Sequence, residues 1–308
     1  EQFNVTSYAA MAVAIVTLEV FAGMWINTFI FSVICIAWVK KKTLSSNEKI
    51  LLVLGCCRFW YLCIAWIYAF LSIIYPKYLH VHSTLQLVVS IYISLNYSNL
   101  WISACLCVFY CIKIANFRNS FFIYLKVKID RIVPWLLLGS VLLALAIGYD
   151  VSENLHSKND NSTCRGNFWE ESIKMEEHLF NVYFLTGFGY AASFTAVIFS
   201  ALLLLFSLWR HKRNMQTNSM KDLSMDAHIK AMRSVVSFLV MYSINFICLI
   251  LTIIYSAEKN GNAMMFLVFV YLYAFPGVHS LLLIFSNPKL ENTLLRILSA
   301  VKCKVCMR

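Results

Sequence analysis

The sequence predicts an all-α membrane protein: a bundle of seven transmembrane helices followed by a short amphipathic helix near its C-terminal end. Three observations carry that prediction. Of 308 residues, 60% are hydrophobic and only 13% are charged, far from the composition of soluble domains. Apolar runs long enough to cross about 30 Å of hydrocarbon, which takes about 20 helical residues, can be placed seven times. The Lys and Arg residues between these runs divide unevenly, with 20 on one side of the membrane, five on the other and Arg58 inside a span. Basic residues in short loops stay cytoplasmic, so the N-terminus is expected outside and the C-terminus inside a multi-pass protein of the plasma membrane.

The spans are expected near Tyr8 to Val39, Ile50 to Tyr75, Ser83 to Ala115, Ile132 to Tyr149, His178 to Trp209, Ile229 to Tyr255 and Ala263 to Ser286, forming one domain over residues 1–308. The chain opens without a basic-then-apolar leader, so the first span is expected to serve as the insertion signal. In that span Glu19, Gly23 and Asn27 recur every four residues and share one helix face, which must look into the bundle. Arg58 in the second span is the basic candidate to meet them. Depth disfavours Glu19 and favours Asn27 as its neighbour, and a structural role outweighs a ligand-binding one for all three. The third span puts Tyr92, Asn96 and Asn99 on one face, where hydrocarbon cannot satisfy the amides and a bundle interior can. The fourth span is the shortest, with Pro134 placed in its first turn.

The connection from Asp150 to Glu177 is polar and acidic, and Asn161-Ser162-Thr163 makes Asn161 a glycosylation acceptor there. Asn4-Val5-Thr6 is a second acceptor, close to the first span. In the sixth span Tyr242, Asn245 and Leu249 share a face at about the depth of Asn96, and the two faces could line one cavity. After Pro288, the pattern Leu290, Leu294, Leu295, Ile297 and Leu298 with Lys289 and Arg296 makes an amphipathic helix over about 288–299, lying on the inner membrane surface and touching its lipids. Cys303 and Cys306, set among basic residues, are candidate palmitoylation sites.

Several function classes recede. The net charge of +11 is split among short segments, without the aromatic-interleaved basic domain or motif of a nucleic-acid binder. Most of the eleven cysteines lie in apolar spans and act as small hydrophobes, while Cys164 stands in a polar loop, free or paired with something the sequence hides. No spacing suits a metal, and no cofactor is expected. A polytopic transporter or intramembrane enzyme using Glu19, Arg58 and His279 is the rival reading. Against it stand the absence of an inverted repeat and of a nucleophile–base pair within the spans.

Four stretches point elsewhere. Leu106-Cys107-Val108-Phe109-Tyr110-Cys111-Ile112-Lys113-Ile114-Ala115-Asn116-Phe117 resembles the third-helix signature of vertebrate bitter taste receptors, seven-helix G-protein-coupled receptors. Leu205 to Gln216, with Leu208-Trp209-Arg210-His211-Lys212-Arg213, and Asp226-Ala227-His228-Ile229-Lys230-Ala231-Met232 closely resemble that family's third cytoplasmic loop. Pro276-Gly277-Val278-His279-Ser280, then Ser286-Asn287-Pro288-Lys289-Leu290, is similar to its seventh helix. Phe109-Tyr110-Cys111 stands where rhodopsin-like receptors have Asp-Arg-Tyr, and no Asn-Pro-x-x-Tyr closes the seventh span.

The resemblance implies a bitter taste receptor, not an enzyme, that binds small, often apolar bitter compounds and activates a heterotrimeric G protein of the gustducin or Gi-like type. It implies ligand contacts at Tyr92, Asn96, Tyr97, Tyr242 and Asn245, with Phe269 near a further one. The family commonly carries tryptophan at Tyr92 and histidine at Tyr97, so ligand preference does not carry over. Lys113, His211, His228 and Lys230 would border the G-protein cavity, and the loop sequon is typical of the family.

Overall fold

A computed structural model describes residues 7–74, 83–115, 117, 119–160, 168–216, 222–257 and 263–306, and all its regular structure among them is helical. The eight helices are α1 (Ser7–Lys41), α2 (Ser46–Ile74), α3 (Ser83–Ile114), α4 (Ser120–Asp160), α5 (Phe168–Gln216), α6 (Asp222–Ala257), α7 (Ala263–Ser286) and α8 (Pro288–Cys306). Seven of them contain an apolar stretch long enough to span a membrane. Asn4, Asn161 and Cys164 lie outside the described residues.

Local chemistry sets the helix ends. Lys42 takes a left-handed backbone conformation, φ 55°, and its amide bonds back to the Trp38 carbonyl, closing α1. Ser45 and Glu48 then form a reciprocal capping box at the start of α2: the Glu48 carboxylate accepts from the Ser45 amide at 3.0 Å, and the Ser45 hydroxyl accepts from the Glu48 amide at 3.3 Å. Asn119 caps α4 by accepting from the Phe121 amide, and Asn287 caps α8 by accepting from the Lys289 amide.

α4 and α5 run well beyond the spans expected for them. The basic turn from Lys126 to Arg131 continues α4 instead of preceding it, because Lys and Arg are good helix formers and Asn119 supplies the cap. Pro134 therefore sits inside the helix and not in its first turn. Its missing amide frees the Asp130 carbonyl four residues earlier. The Ser46 hydroxyl of α2 donates to that carbonyl at 3.5 Å, so the gap in one helix is covered from its neighbour.

The helices close into a ring. α1 packs on α2 and α7, α2 on α3, α3 on α4 and α5, α5 on α6, and α6 on α7, while α8 packs on α7 and α1. Small residues allow α1 and α7 to approach closely. A methyl group on Gly277 would stand 3.1 Å from the Gly23 Cα, so α1 and α7 meet backbone to backbone there. Outward-facing side chains such as Leu18, Trp25, Trp135 and Val127 are mostly exposed, a surface suited to lipid.

Two apolar layers fill the interior. Toward the basic end, Ile30, Ile34, Leu51, Leu54, Ile102, Leu106, Phe109 and Leu283 pack together. Toward the other end, Val16, Val20, Tyr61, Leu62 and Tyr273 form one cluster and Tyr97, Leu100, Tyr190, Val197, Tyr242 and Phe275 another. Between the layers a polar stratum gathers around Arg58, which follows Leu54 of the first layer and precedes Tyr61 of the second on α2.

Candidate functional site

Arg58 is fully buried and is the hub of that polar stratum. Its Nε donates to Asn99 Oδ1 at 2.9 Å, Nη1 to Ser280 Oγ at 2.7 Å and Nη2 to Ser103 Oγ at 3.2 Å. The same Nη2 meets His279 Nδ1 at 2.5 Å, which makes that nitrogen the acceptor and leaves the ring proton on Nε2. The Ser280 hydroxyl in turn donates to Asn27 Oδ1 at 2.8 Å, and the Asn27 amide donates to the Gly23 carbonyl at 2.8 Å. One guanidinium thus joins α2 to α3 and α7, and through Ser280 to α1.

Asn27 therefore meets Arg58 through Ser280 and not by direct contact, since α1 and α7 approach closely enough for a serine hydroxyl to sit between the two groups. Among the described residues no carboxylate pairs with Arg58. Glu19 does not join the network: its Oε2 is buried with no hydrogen-bond partner among the described residues. Of Glu19, Arg58 and His279, only the last two meet, so the trio a transporter or enzyme would use is not assembled. His279 Nε2 is also buried and unpartnered among the described residues, and the ring packs between Phe238 of α6 and Phe275 of α7, with centroids at 4.7 and 5.5 Å.

Beyond this stratum lie the candidate ligand residues, and they divide between two neighbours. Tyr92 is stacked between Tyr61 and Tyr68 of α2, with centroids at 5.5 and 5.3 Å. Asn96 and Tyr97 face α5: the Asn96 amide donates to the Tyr190 hydroxyl at 3.3 Å, and Tyr97 stacks on the Tyr190 ring at 5.1 Å. Gly189 makes room for that stack, because a methyl group there would stand 3.0 Å from the Tyr97 ring. From α6, the Tyr242 hydroxyl donates to the Leu100 carbonyl at 3.3 Å, while Asn245 is buried nearby on the same helix face. Asn99, the third residue on the polar face of α3, belongs to Arg58 instead.

Phe269 stands apart. It is 41% exposed, while its neighbour Val268 is 4% exposed and faces inward, so the ring lies off the buried face of α7. The tyrosines Tyr61, Tyr68 and Tyr190 complete the aromatic surroundings of Tyr92 and Tyr97. Tyr61 and Tyr68 are seven residues apart on α2, the same spacing that picked out the polar face of α3.

At the basic end, Lys113 bridges to Asp130 at 2.5 Å, tying the end of α3 to α4, and Lys289 of α8 forms an ion pair with Glu48 of α2. Arg210 of α5 lies over the Phe117 ring at 5.9 Å. His211 falls on the last turns of α5, and His228 and Lys230 on the first turns of α6. All three are beyond the apolar windows that end at Arg210 and begin at Val235. Cys303 and Cys306 fall on the last turn of α8.

Comparison with known proteins identifies the family. The taste receptor protein family (TAS2R) matches residues 5–302. Taste receptor type 2 member 7 of Macaca mulatta is 32% identical over 295 residues, covering 92% of this chain and 91% of its own length. Taste receptor type 2 member 9 of Homo sapiens is 29% identical over 302 residues, with 96% and 95% covered, and member 114 of Mus musculus is 29% identical over 289 residues, with 93% of each covered. A match over nearly the whole chain, carried by a seven-helix bundle with a tyrosine-rich half and a basic end, is decisive: this protein belongs to the TAS2R taste receptor family.

Proposed function

We propose that this chain is a bitter taste receptor of the plasma membrane that binds small, often apolar compounds and activates a heterotrimeric G protein of the gustducin or Gi-like type. The observation that carries the reading is the family match along the whole bundle. The ligand enters among Tyr92, Asn96, Tyr97, Tyr242 and Asn245, with Phe269 at the edge, and Tyr190 joins them as the hydrogen-bond partner of Asn96. The G protein meets the basic end at Lys113, His211, His228 and Lys230. A ligand that contacts the tyrosine-rich half better in one arrangement of α3, α5 and α6 shifts the population toward it, and only by that difference in affinity. Agonist-dependent nucleotide exchange, run with a panel of bitter compounds, tests the function. Ligand-dependent solute flux without nucleotide exchange would establish the transporter reading instead.

Asn96→Ala is expected to weaken agonist potency by about ten- to a hundredfold, the effect of leaving a ligand group or the Tyr190 hydroxyl without its partner, at about 1–3 kcal/mol. Surface abundance should stay near normal. Agonist dose response and abundance measured in the same cells check this. An equal loss of abundance with and without ligand would make Asn96 a tie between α3 and α5 and remove it from the site.

The excess of basic residues at one end supports an orientation with the N-terminus outside and that end in the cytoplasm. Asn161 then lies outside and carries a glycan. Asn161→Gln should run on a gel with the enzymatically deglycosylated protein, and no mobility change on glycosidase treatment of the wild type would overturn the orientation.

A further inference from the structure

The turn between α1 and α2, the first turn of α2, the end of α3 and the first turns of α4 line an open cleft of about 490 Å³. Its walls include Leu44, Asn47, Lys49, Phe109, Lys113 and Asp130. Phe109 is buried and Leu44 half-buried, giving one side an apolar lining. The other side carries two ammonium groups and one carboxylate. Lys113 and Asp130 already neutralise each other at 2.5 Å. The Lys49 side chain is half-buried and makes no hydrogen bond among the described residues; it acts on Asp130 through charge alone, so two ammonium groups share one carboxylate and the cleft keeps a net positive charge. The neighbouring carboxylate that could have answered it, Glu48, is taken by Lys289 of α8 and by Ser45.

Depth and size narrow the occupant. The apolar windows of the second and third spans stop at Ser46 and Ile114, so the cleft opens where hydrocarbon gives way to headgroups. A phosphate headgroup fits within the 490 Å³ of this open cleft, and the short apolar side formed by Leu44 and Phe109 suits the glycerol end of a lipid. An exposed apolar side chain, Val127, lies one turn before Asp130 on α4 and offers a path for an acyl chain.

We propose that this cleft binds the phosphate of an anionic phospholipid headgroup. Lys49 is its main contact, Lys113 shares its proton donors between Asp130 and the phosphate, and Leu44 and Phe109 pack against the glycerol end. A bound lipid would brace the ends of α2, α3 and α4 against one another at the surface that meets the partner protein.

The test uses the full chain in nanodiscs of phosphatidylcholine, with or without phosphatidylinositol phosphate, and native mass spectrometry to count retained lipid. Wild type should retain the phosphoinositide, and Lys49→Gln should lower its affinity about tenfold, as expected for losing one charge-assisted hydrogen bond. Lys128→Gln should leave binding unchanged, since that ammonium sits over the Tyr124 ring outside the cleft. Equal retention by wild type and Lys49→Gln overturns the site. Soluble inositol phosphate that binds as tightly as the lipid overturns the lipid assignment. Should Lys49→Gln fail to fold, amine-reactive labelling of Lys49 in the wild type decides: slower labelling with phosphoinositide supports the site, and labelling slowed only by an acidic peptide, or by neither, overturns it.

Discussion

Arg58→Ala should nearly abolish surface expression. The substitution removes the one donor that two buried acceptors, Asn99 Oδ1 and His279 Nδ1, have among the described residues, while Ser103 and Ser280 keep bonds to the Asn99 carbonyl and to Asn27. An unsatisfied buried acceptor costs about 1–3 kcal/mol, so the two together cost about 2–6 kcal/mol before any cavity is counted. Net stabilities of folded domains are only about 5–15 kcal/mol, which makes this a large fraction. Arg58→Lys should recover little, because a single ammonium cannot reach Asn99 and Ser103 on α3 and His279 and Ser280 on α7 from one position as a planar guanidinium does. Surface abundance in cells and the thermal midpoint in detergent measure both variants. Wild-type values for Arg58→Ala would mean that the guanidinium does not hold the four helices together.

The same residue shows what could be read from the sequence and what could not. A lone arginine in an apolar span signals an interior polar site by itself, and Asn27 is recognisable as a neighbour from its depth on the polar face of the first span. Its actual partners lie 41 to 222 positions away, and no local period links them. Only the closed ring of helices brings Asn99, Ser103, His279 and Ser280 to one depth. The seven spans were legible because hydrocarbon demands long apolar runs and because Lys and Arg mark their ends. The lengths of α4 and α5 were not, since charged residues that end a span do not end a helix. Tyr190 was missed for a related reason. A tyrosine in an apolar run looks like core, and its place opposite Asn96 depends on how α5 is rotated against α3.

Gly148→Leu should separate α3 from α4 and lower the thermal midpoint more than Gly139→Leu on the same helix. A methyl group on Gly148 would stand 1.9 Å from Ser94 Oγ, 3.1 Å from Ser94 Cβ and 2.8 Å from the Ser90 carbonyl oxygen, while one on Gly139 meets nothing within 4 Å. The Ser94 hydroxyl can rotate away, but the Ser90 carbonyl is backbone, so relief requires the helices to move apart. That movement also breaks the bond from the Ser90 hydroxyl to the Gly148 carbonyl, 2.8 Å long. Overpacking of this kind costs about 1–3 kcal/mol, and a lost hydrogen bond adds about 1 kcal/mol. Ser94→Ala in the Gly148→Ala background should restore part of the loss, because it removes the closest contact and leaves the other two. Because α3 also carries Asn96, proposed to meet the ligand, and Asn99, bonded to Arg58, its displacement should lower agonist potency along with stability. Equal midpoints for Gly148→Leu and Gly139→Leu would mean that α3 and α4 are not held at this distance.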